Sequence, residues 1–240
     1  MAIVRQTLVY QGPGGPFEGV IAYEDEVTTA RPGVLVLPNI LGQKEADNVH
    51  AENLAKLGYV ALAADLFGQG KRTQHGPDAG LYMNQLNADR GLLRDRLRAS
   101  LDALAGFDRV DPNKLAAIGF CFGGRCVLDM ARAGLPILGG VSFHGVYERP
   151  DYPNVDPITA KLLVCHGWED PIAPPEKTVA LAQELTESGA DWQIHAYGHA
   201  GHAFTDQDRK QSTTPGVVYE PKADRRSWQA MTNFLEEVFA

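Results

Sequence analysis

Short apolar runs alternate with amphipathic stretches along most of this chain. Gly33-Val34-Leu35-Val36-Leu37, Tyr59-Val60-Ala61-Leu62-Ala63-Ala64, Leu115-Ala116-Ala117-Ile118, Ile137 to Phe143 and Leu162-Leu163-Val164-Cys165 carry almost no polar side chain. Such runs are typical of strands covered on both faces. Trp192 to Tyr197 reads as the last strand. Between the runs lie stretches with helical spacing: Asp47 to Leu57 before Gly58, Asn87 to Gly106 with Leu93, Leu97, Leu101 and Leu104 on one side, Arg125 to Ala133, Pro175 to Glu187 before Gly189, and Ala223 to Phe239. At the start, Thr7-Leu8-Val9-Tyr10 and Gly19-Val20-Ile21-Ala22-Tyr23 flank Gly12-Pro13-Gly14-Gly15-Pro16, which predicts two antiparallel strands and a turn. Strand alternating with helix predicts an α/β fold: a mostly parallel central sheet, an antiparallel N-terminal hairpin, and helices on both faces. No repeat, biased tract or linker interrupts the pattern, so residues 1–240 are expected to form a single domain.

Charge and composition narrow the function. A net charge of −8 argues against nucleic acid or an anionic membrane surface as a partner. No apolar run approaches the roughly 20 residues of a spanning helix. Met1 to Gln6 shows no cationic segment leading into an apolar block, so a cytoplasmic protein without a leader is expected. Three cysteines, Cys121, Cys126 and Cys165, are too few for a disulfide framework and suit a reducing compartment. Arg94, Arg96 and Arg98 are interleaved with Asp95 and Asp102, which reads as a solvated helix face rather than an anion site. Gly68 to Gly80 reads as a surface excursion, and the long connection from Thr205 to Pro221 as a candidate lid.

The chemistry is concentrated at Gly119-Phe120-Cys121-Phe122-Gly123-Gly124. A strand entering a helix through G-x-nucleophile-x-G makes a sharp turn that presents the central side chain at the end of the sheet. Here that side chain is a thiol at a helix N-terminus, where the helix dipole favours a thiolate. In this arrangement an acid and then a histidine are expected on loops after later strands. His166-Gly167-Trp168-Glu169-Asp170 supplies Asp170, with Glu169 as a rival acid, and Gly198-His199-Ala200-Gly201-His202-Ala203-Phe204 supplies His202. His195, His199 and His202 lack the spacing of a metal site, so neither a metal nor an organic cofactor is expected. His144 and His166 read as packed or pocket-lining, and Cys126 and Cys165 as buried core.

These three motifs together resemble the dienelactone hydrolase family of the α/β-hydrolase superfamily, as do Asp65-Leu66-Phe67-Gly68 and Arg226-Ser227-Trp228. The resemblance implies the α/β-hydrolase fold, with Cys121 as nucleophile, His202 as base and Asp170 as the carboxylate that orients it. It also implies an oxyanion hole from the backbone N–H groups of Ile40 and Phe122. Asn39 stands where the best-known members carry a glutamate, and Asp206 lies where the founding members carry an arginine that holds the substrate carboxylate. Ester or lactone hydrolysis is therefore expected to survive better than dienelactone specificity. Asn39, Trp168 and Phe204 are candidates to line the pocket for a small-molecule ester or lactone. The alternatives are a homologue that binds a small molecule without turning it over, and a thiol redox protein using Cys126 to resolve Cys121.

Overall fold

The computed structural model describes residues 2–240; Met1 of the expected leaderless terminus lies outside the described residues. Its strands are β1 (Ile3–Tyr10), β2 (Phe17–Glu24), β3 (Arg31–Leu37), β4 (Val60–Ala63), β5 (Val110–Phe120), β6 (Gly139–Phe143), β7 (Lys161–Gly167) and β8 (Trp192–Tyr197). The helices are α1 (Glu45–Lys56), α2 (Leu81–Ala88), α3 (Arg90–Ala105), α4 (Phe122–Arg132), α5 (Pro175–Glu187) and α6 (Pro221–Phe239). The strand order is β1-β2-β4-β3-β5-β6-β7-β8, the mostly parallel sheet expected, with the antiparallel pairs β1–β2 and β2–β4 at its start. Among the described residues no helix is long and apolar enough to cross a membrane.

Two compact units divide the chain, one running to Ile118 and taking in Pro150–Tyr152, the other comprising Gly119–Arg149 and Pro153–Ala240. In the first, β3 and β4 are parallel and almost wholly buried, as unbroken apolar runs require. Leu93, Leu97, Leu101 and Leu104 of α3 are fully buried. The expected single helix from Asn87 is in fact two. Asp89 leaves helical backbone and its carboxylate accepts the Leu92 N–H at 2.8 Å, capping α3 and ending α2. Arg96 also departs from expectation. Its guanidinium reaches the carbonyls of Pro13 and Leu66 at 3.0 and 2.7 Å, and burial lowers its pKa. Arg94 does face Asp95 at 3.0 Å, and Arg98 is exposed. Helical spacing placed Arg96 beside the solvated arginines, but a long stem can carry a charge to loop carbonyls that spacing does not reveal.

In the second unit β6, β7 and β8 are parallel neighbours, with α4 packed on β6 and α6 on β6 and β7. Arg132 at the end of α4 is completely buried. It is held by Glu184 of α5 at 2.8 Å through two nitrogens, by Asp129 at 3.3 Å and by the Tyr147 carbonyl at 3.0 Å. A charge taken out of water this fully is tolerated only when its donors are met, so the cluster fixes where α4 lies against α5. The long connection after Thr205 is not structureless. It contains a 3-10 turn, Gln207–Arg209, and Val217 forms a parallel bridge with His202.

Candidate active site

Every charged or nucleophilic side chain of the expected triad belongs to the second unit. The elbow is built as its glycines demand. Cys121 has φ 56° and ψ −111°, between the end of β5 and the start of α4. Its N–H donates to the Phe143 carbonyl of β6 at 3.0 Å, and its carbonyl accepts from Arg125 N–H at 3.2 Å. A Cβ at Gly119 would stand 2.1 Å from the Gly123 oxygen, and one at Gly124 2.7 Å from Ser142 Oγ. No other residue lets the strand, helix and β6 approach this closely. The thiol is left half-buried at the first turn of α4.

Asp170 lies on the short loop between β7 and α5, 1% exposed. Its two oxygens have separate tasks. Oδ1 accepts the N–H groups of Ile172 and Ala173 at 2.8 and 3.1 Å, which locks the carboxylate, and Oδ2 meets His202 Nδ1 at 2.8 Å. Glu169, the rival acid, instead faces His199 at 3.1 Å, with both side chains largely in solvent.

His202 is 3% exposed, and its backbone is clamped on both sides: its N–H donates to Gly216 at 2.7 Å and its carbonyl accepts from Val218 at 3.1 Å. The loop ahead of it is tied to the Asp170 loop through Trp168 N–H to Tyr197 O at 3.0 Å and Glu169 N–H to Ala200 O at 2.9 Å. A Cβ at Gly167 would come within 2.3 Å of the Gly201 oxygen, so this pairing also depends on a bare backbone. Burial acts to lower the His202 pKa. The charge on Cys121, then the hydrogen bond to Asp170, act to raise it and win, lifting it to about 10. Among the described residues Nε2 has no hydrogen bond of regular geometry, while an interaction with the Cys121 side chain adds to the raised pKa. The ring thus presents one nitrogen to a fixed carboxylate, while Cys121 favours the proton it carries.

The remaining expected residues divide. Phe122 and Phe204 are fully buried, while Trp168 is 47% exposed, its ring edge-on to His166 at 6.1 Å. Asn39 and Ile40 follow β3 in the first unit, where Asn39 Oδ1 accepts the Leu41 N–H at 3.0 Å and so closes its own turn. His166 is packed, its ring nitrogens matched to the hydroxyls of Tyr147 and Thr178 at 3.0 Å each, and burial lowers its pKa. Cys126 and Cys165 are completely buried, and burial pushes the Cys165 thiol up to about 12. Among the described residues no three His, Cys, Asp or Glu side chains converge as metal ligands. His144 was read as packing or pocket lining. Its ring lies against His202, with centroids 5.2 Å apart. Nothing in the sequence marks it except its place at the end of β6, because the backbone conformation that turns it inward is invisible there.

A profile of the dienelactone hydrolase family matches residues 17–239. A Yersinia pestis protein provisionally named carboxymethylenebutenolidase is 30% identical over 239 residues, covering 93% of this chain and 85% of its own length. A Bradyrhizobium protein, provisionally a 2-oxo-3-(5-oxofuran-2-ylidene)propanoate lactonase, is 29% identical over 220 residues, 87% of this chain and 85% of its own. Among solved structures, a dienelactone hydrolase-like promiscuous phosphotriesterase from metagenomic libraries superposes with a TM-score of 0.91, at 34% identity and with both chains fully covered.

Proposed function

This chain belongs to the dienelactone hydrolase family, hydrolases of ester and lactone bonds, and on that premise we propose that it cleaves carboxylic esters or lactones through an acyl-enzyme on Cys121. The observation that carries this reading is the placement of His202: 3% exposed and oriented by the Asp170 carboxylate at 2.8 Å, with Cys121 and Asp170 favouring its proton against burial. An imidazolium beside a thiolate has the nucleophile already deprotonated and the general acid already charged.

The Cys121 sulfur attacks the ester carbonyl, and the electron pair moves to oxygen as the tetrahedral centre forms. Phe122 N–H, at the first turn of α4, is the oxyanion donor that this unit supplies. One such donor is worth roughly 3–4 kcal/mol in the transition state. Collapse breaks the carbon–oxygen bond, the alkoxide takes the His202 proton, and a thioester remains. Neutral His202 then removes a proton from water, whose attack on the thioester breaks the carbon–sulfur bond, releases the acid and returns the thiolate–imidazolium pair. Asp170 holds the ring through both half-reactions, since its other oxygen is committed to the Ile172 and Ala173 N–H groups.

Replacing Cys121 by Ala abolishes turnover of an activated aryl ester, and mass spectrometry of the wild type under substrate shows an acyl adduct on that residue. Turnover unchanged in Cys121→Ala would sink the assignment. A neutral aryl phosphotriester is a second substrate to try, since the full-length relative at 34% identity is a promiscuous phosphotriesterase. The redox alternative would need a resolving thiol, and Cys126 and Cys165 are both completely buried, which favours the hydrolase reading. An unpaired nucleophilic thiol suits a reducing compartment, which favours a cytoplasmic location.

A further inference from the structure

His144 is a histidine held where the backbone prefers glycine. Its φ is +36°, in the left-handed region, where a non-glycine residue is strained. Four described non-glycine residues have positive φ, and the other three are Cys121, His199 and Ala203, so strain in this chain gathers around the triad. Retaining a side chain against that preference needs a use for it, and the contacts of the ring supply one.

The turn at the end of β6 is fixed on both sides. Phe143 O accepts the Cys121 N–H at 3.0 Å, and His144 N–H donates to Cys165 O of β7 at 2.8 Å. From there the ring, 2% exposed, turns toward His202 with centroids 5.2 Å apart and planes at 68°. Phe204 meets its other neighbourhood at 5.0 Å and 82°. His144 Nε2 pairs with Thr205 Oγ1 at 2.8 Å, which stops the ring from rotating. Thr205 lies three residues beyond His202, so the loop that carries the catalytic imidazole also pins the ring that packs against it.

We propose that His144, fixed by Thr205, is a positioning residue that keeps the His202 ring in line between Asp170 and Cys121. Asp170 alone constrains His202 at one nitrogen, and a single hydrogen bond leaves the ring free to tilt about it. During each turnover His202 loses its proton and regains it, and the charge that draws it to Cys121 disappears when the thioester forms. In that intermediate the edge-on contact with His144 is what holds Nε2 toward the acyl group for water activation. Misplacement by about 1 Å in such a constellation costs on the order of 100-fold in rate.

This inference rests on the triad reading, and the test separates the two. Wild type, Cys121→Ala, His144→Phe, His144→Ala, Thr205→Val and Thr205→Ser are assayed for kcat and KM on an aryl ester. The downfield proton signal of the His202–Asp170 hydrogen bond is followed by NMR. Thr205→Val, which keeps shape and removes the hydroxyl, lowers kcat by about 10-fold at unchanged KM and broadens that signal; Thr205→Ser restores both. His144→Ala lowers kcat by about 100-fold, and His144→Phe, which keeps a ring but not the tether, falls between. Should His144→Ala fail to fold, Thr205→Val and Thr205→Ser still decide. Wild-type kcat in Thr205→Val and His144→Phe overturns the inference, as does a loss confined to KM, which would make His144 pocket lining. Full activity in Cys121→Ala would instead overturn the triad reading itself.

Discussion

Two carboxylate–imidazole pairs join the same two loops and could hardly differ more. Glu169 and His199 meet at 3.1 Å with 59% and 96% of their side chains exposed. Asp170 and His202, one and three residues further on, meet at 2.8 Å with 0% and 3% exposed. In solvent the outer pair has its charges screened and both side chains free to leave, so it contributes almost nothing. Inside, the same two groups have lost water, and every oxygen of Asp170 must find a donor. It finds two in the backbone and the third in His202. The lesson lies in the surroundings of the pair rather than its chemistry: burial converts an ion pair into a device for holding a proton at one atom.

Breaking the inner pair gives the largest effect. Asp170→Asn keeps the shape and the hydrogen-bonding reach, but it removes the charge and offers an amide where the Nδ1–H needs an acceptor. The expected loss in kcat/KM is about 10³–10⁴-fold, as for the wrong tautomer in a hydroxyl-based triad. Glu169→Gln serves as the control and leaves kcat/KM within twofold. Equal losses in the two variants would erase the distinction between the pairs.

The proton on His202 is the next handle. Its pKa stands raised to about 10 against an ordinary value of 6.5, with burial opposing and Cys121 the largest favourable cause. Because the folded value is raised, the stabilisation from protonated His202 is fully present below pH 6.5 and is lost as pH climbs through about 10. Stability should therefore decline on the alkaline side of neutrality, measured by thermal melts between pH 6 and 10.5. In Cys121→Ala the largest favourable cause is gone, so His202 gives up its proton at a lower pH, followed by its imidazole carbon-proton signals in NMR. A titration unchanged by Cys121→Ala would show that Cys121 does not hold that proton.

Much of this was legible from residue order, for identifiable reasons. Buried parallel strands announce themselves because both faces must be apolar, and β3, β4 and β7 fall where the apolar runs lie. The α5 and β8 limits coincide with the expected ones because Pro175 and Gly189 punctuate them. The elbow and the order of residues after it point to Cys121, Asp170 and His202 as the expected triad, and the structure joins Asp170 to His202 at 2.8 Å. Choosing Asp170 over Glu169 could not rest on spacing alone, since adjacent acids on one loop differ only in which way the chain turns them. His144 was illegible for the same reason. Its meaning depends on a φ of +36° and on Thr205, 61 positions away. The break at Asp89 inside an apparently continuous helix was also missed, because one carboxylate capping a backbone N–H outweighed a leucine periodicity that runs past it.

The smallest effect belongs to the outer pair, and its sign is the informative part. His199 sits at φ +62° with its side chain almost wholly in water, so neither packing nor a screened charge offsets the left-handed backbone. His199→Gly removes that strain while leaving the Glu169 N–H to Ala200 O bond, which ties the two loops through backbone alone. Glycine also loosens the unfolded chain, which takes back part of the gain. The net expectation is a melting temperature higher by roughly 2 °C in a chain of this size, with kcat/KM unchanged. A fall of several degrees would show that the Glu169–His199 contact does hold the loops together. The contrast between the pairs would then be one of degree, with the outer pair bracing the inner.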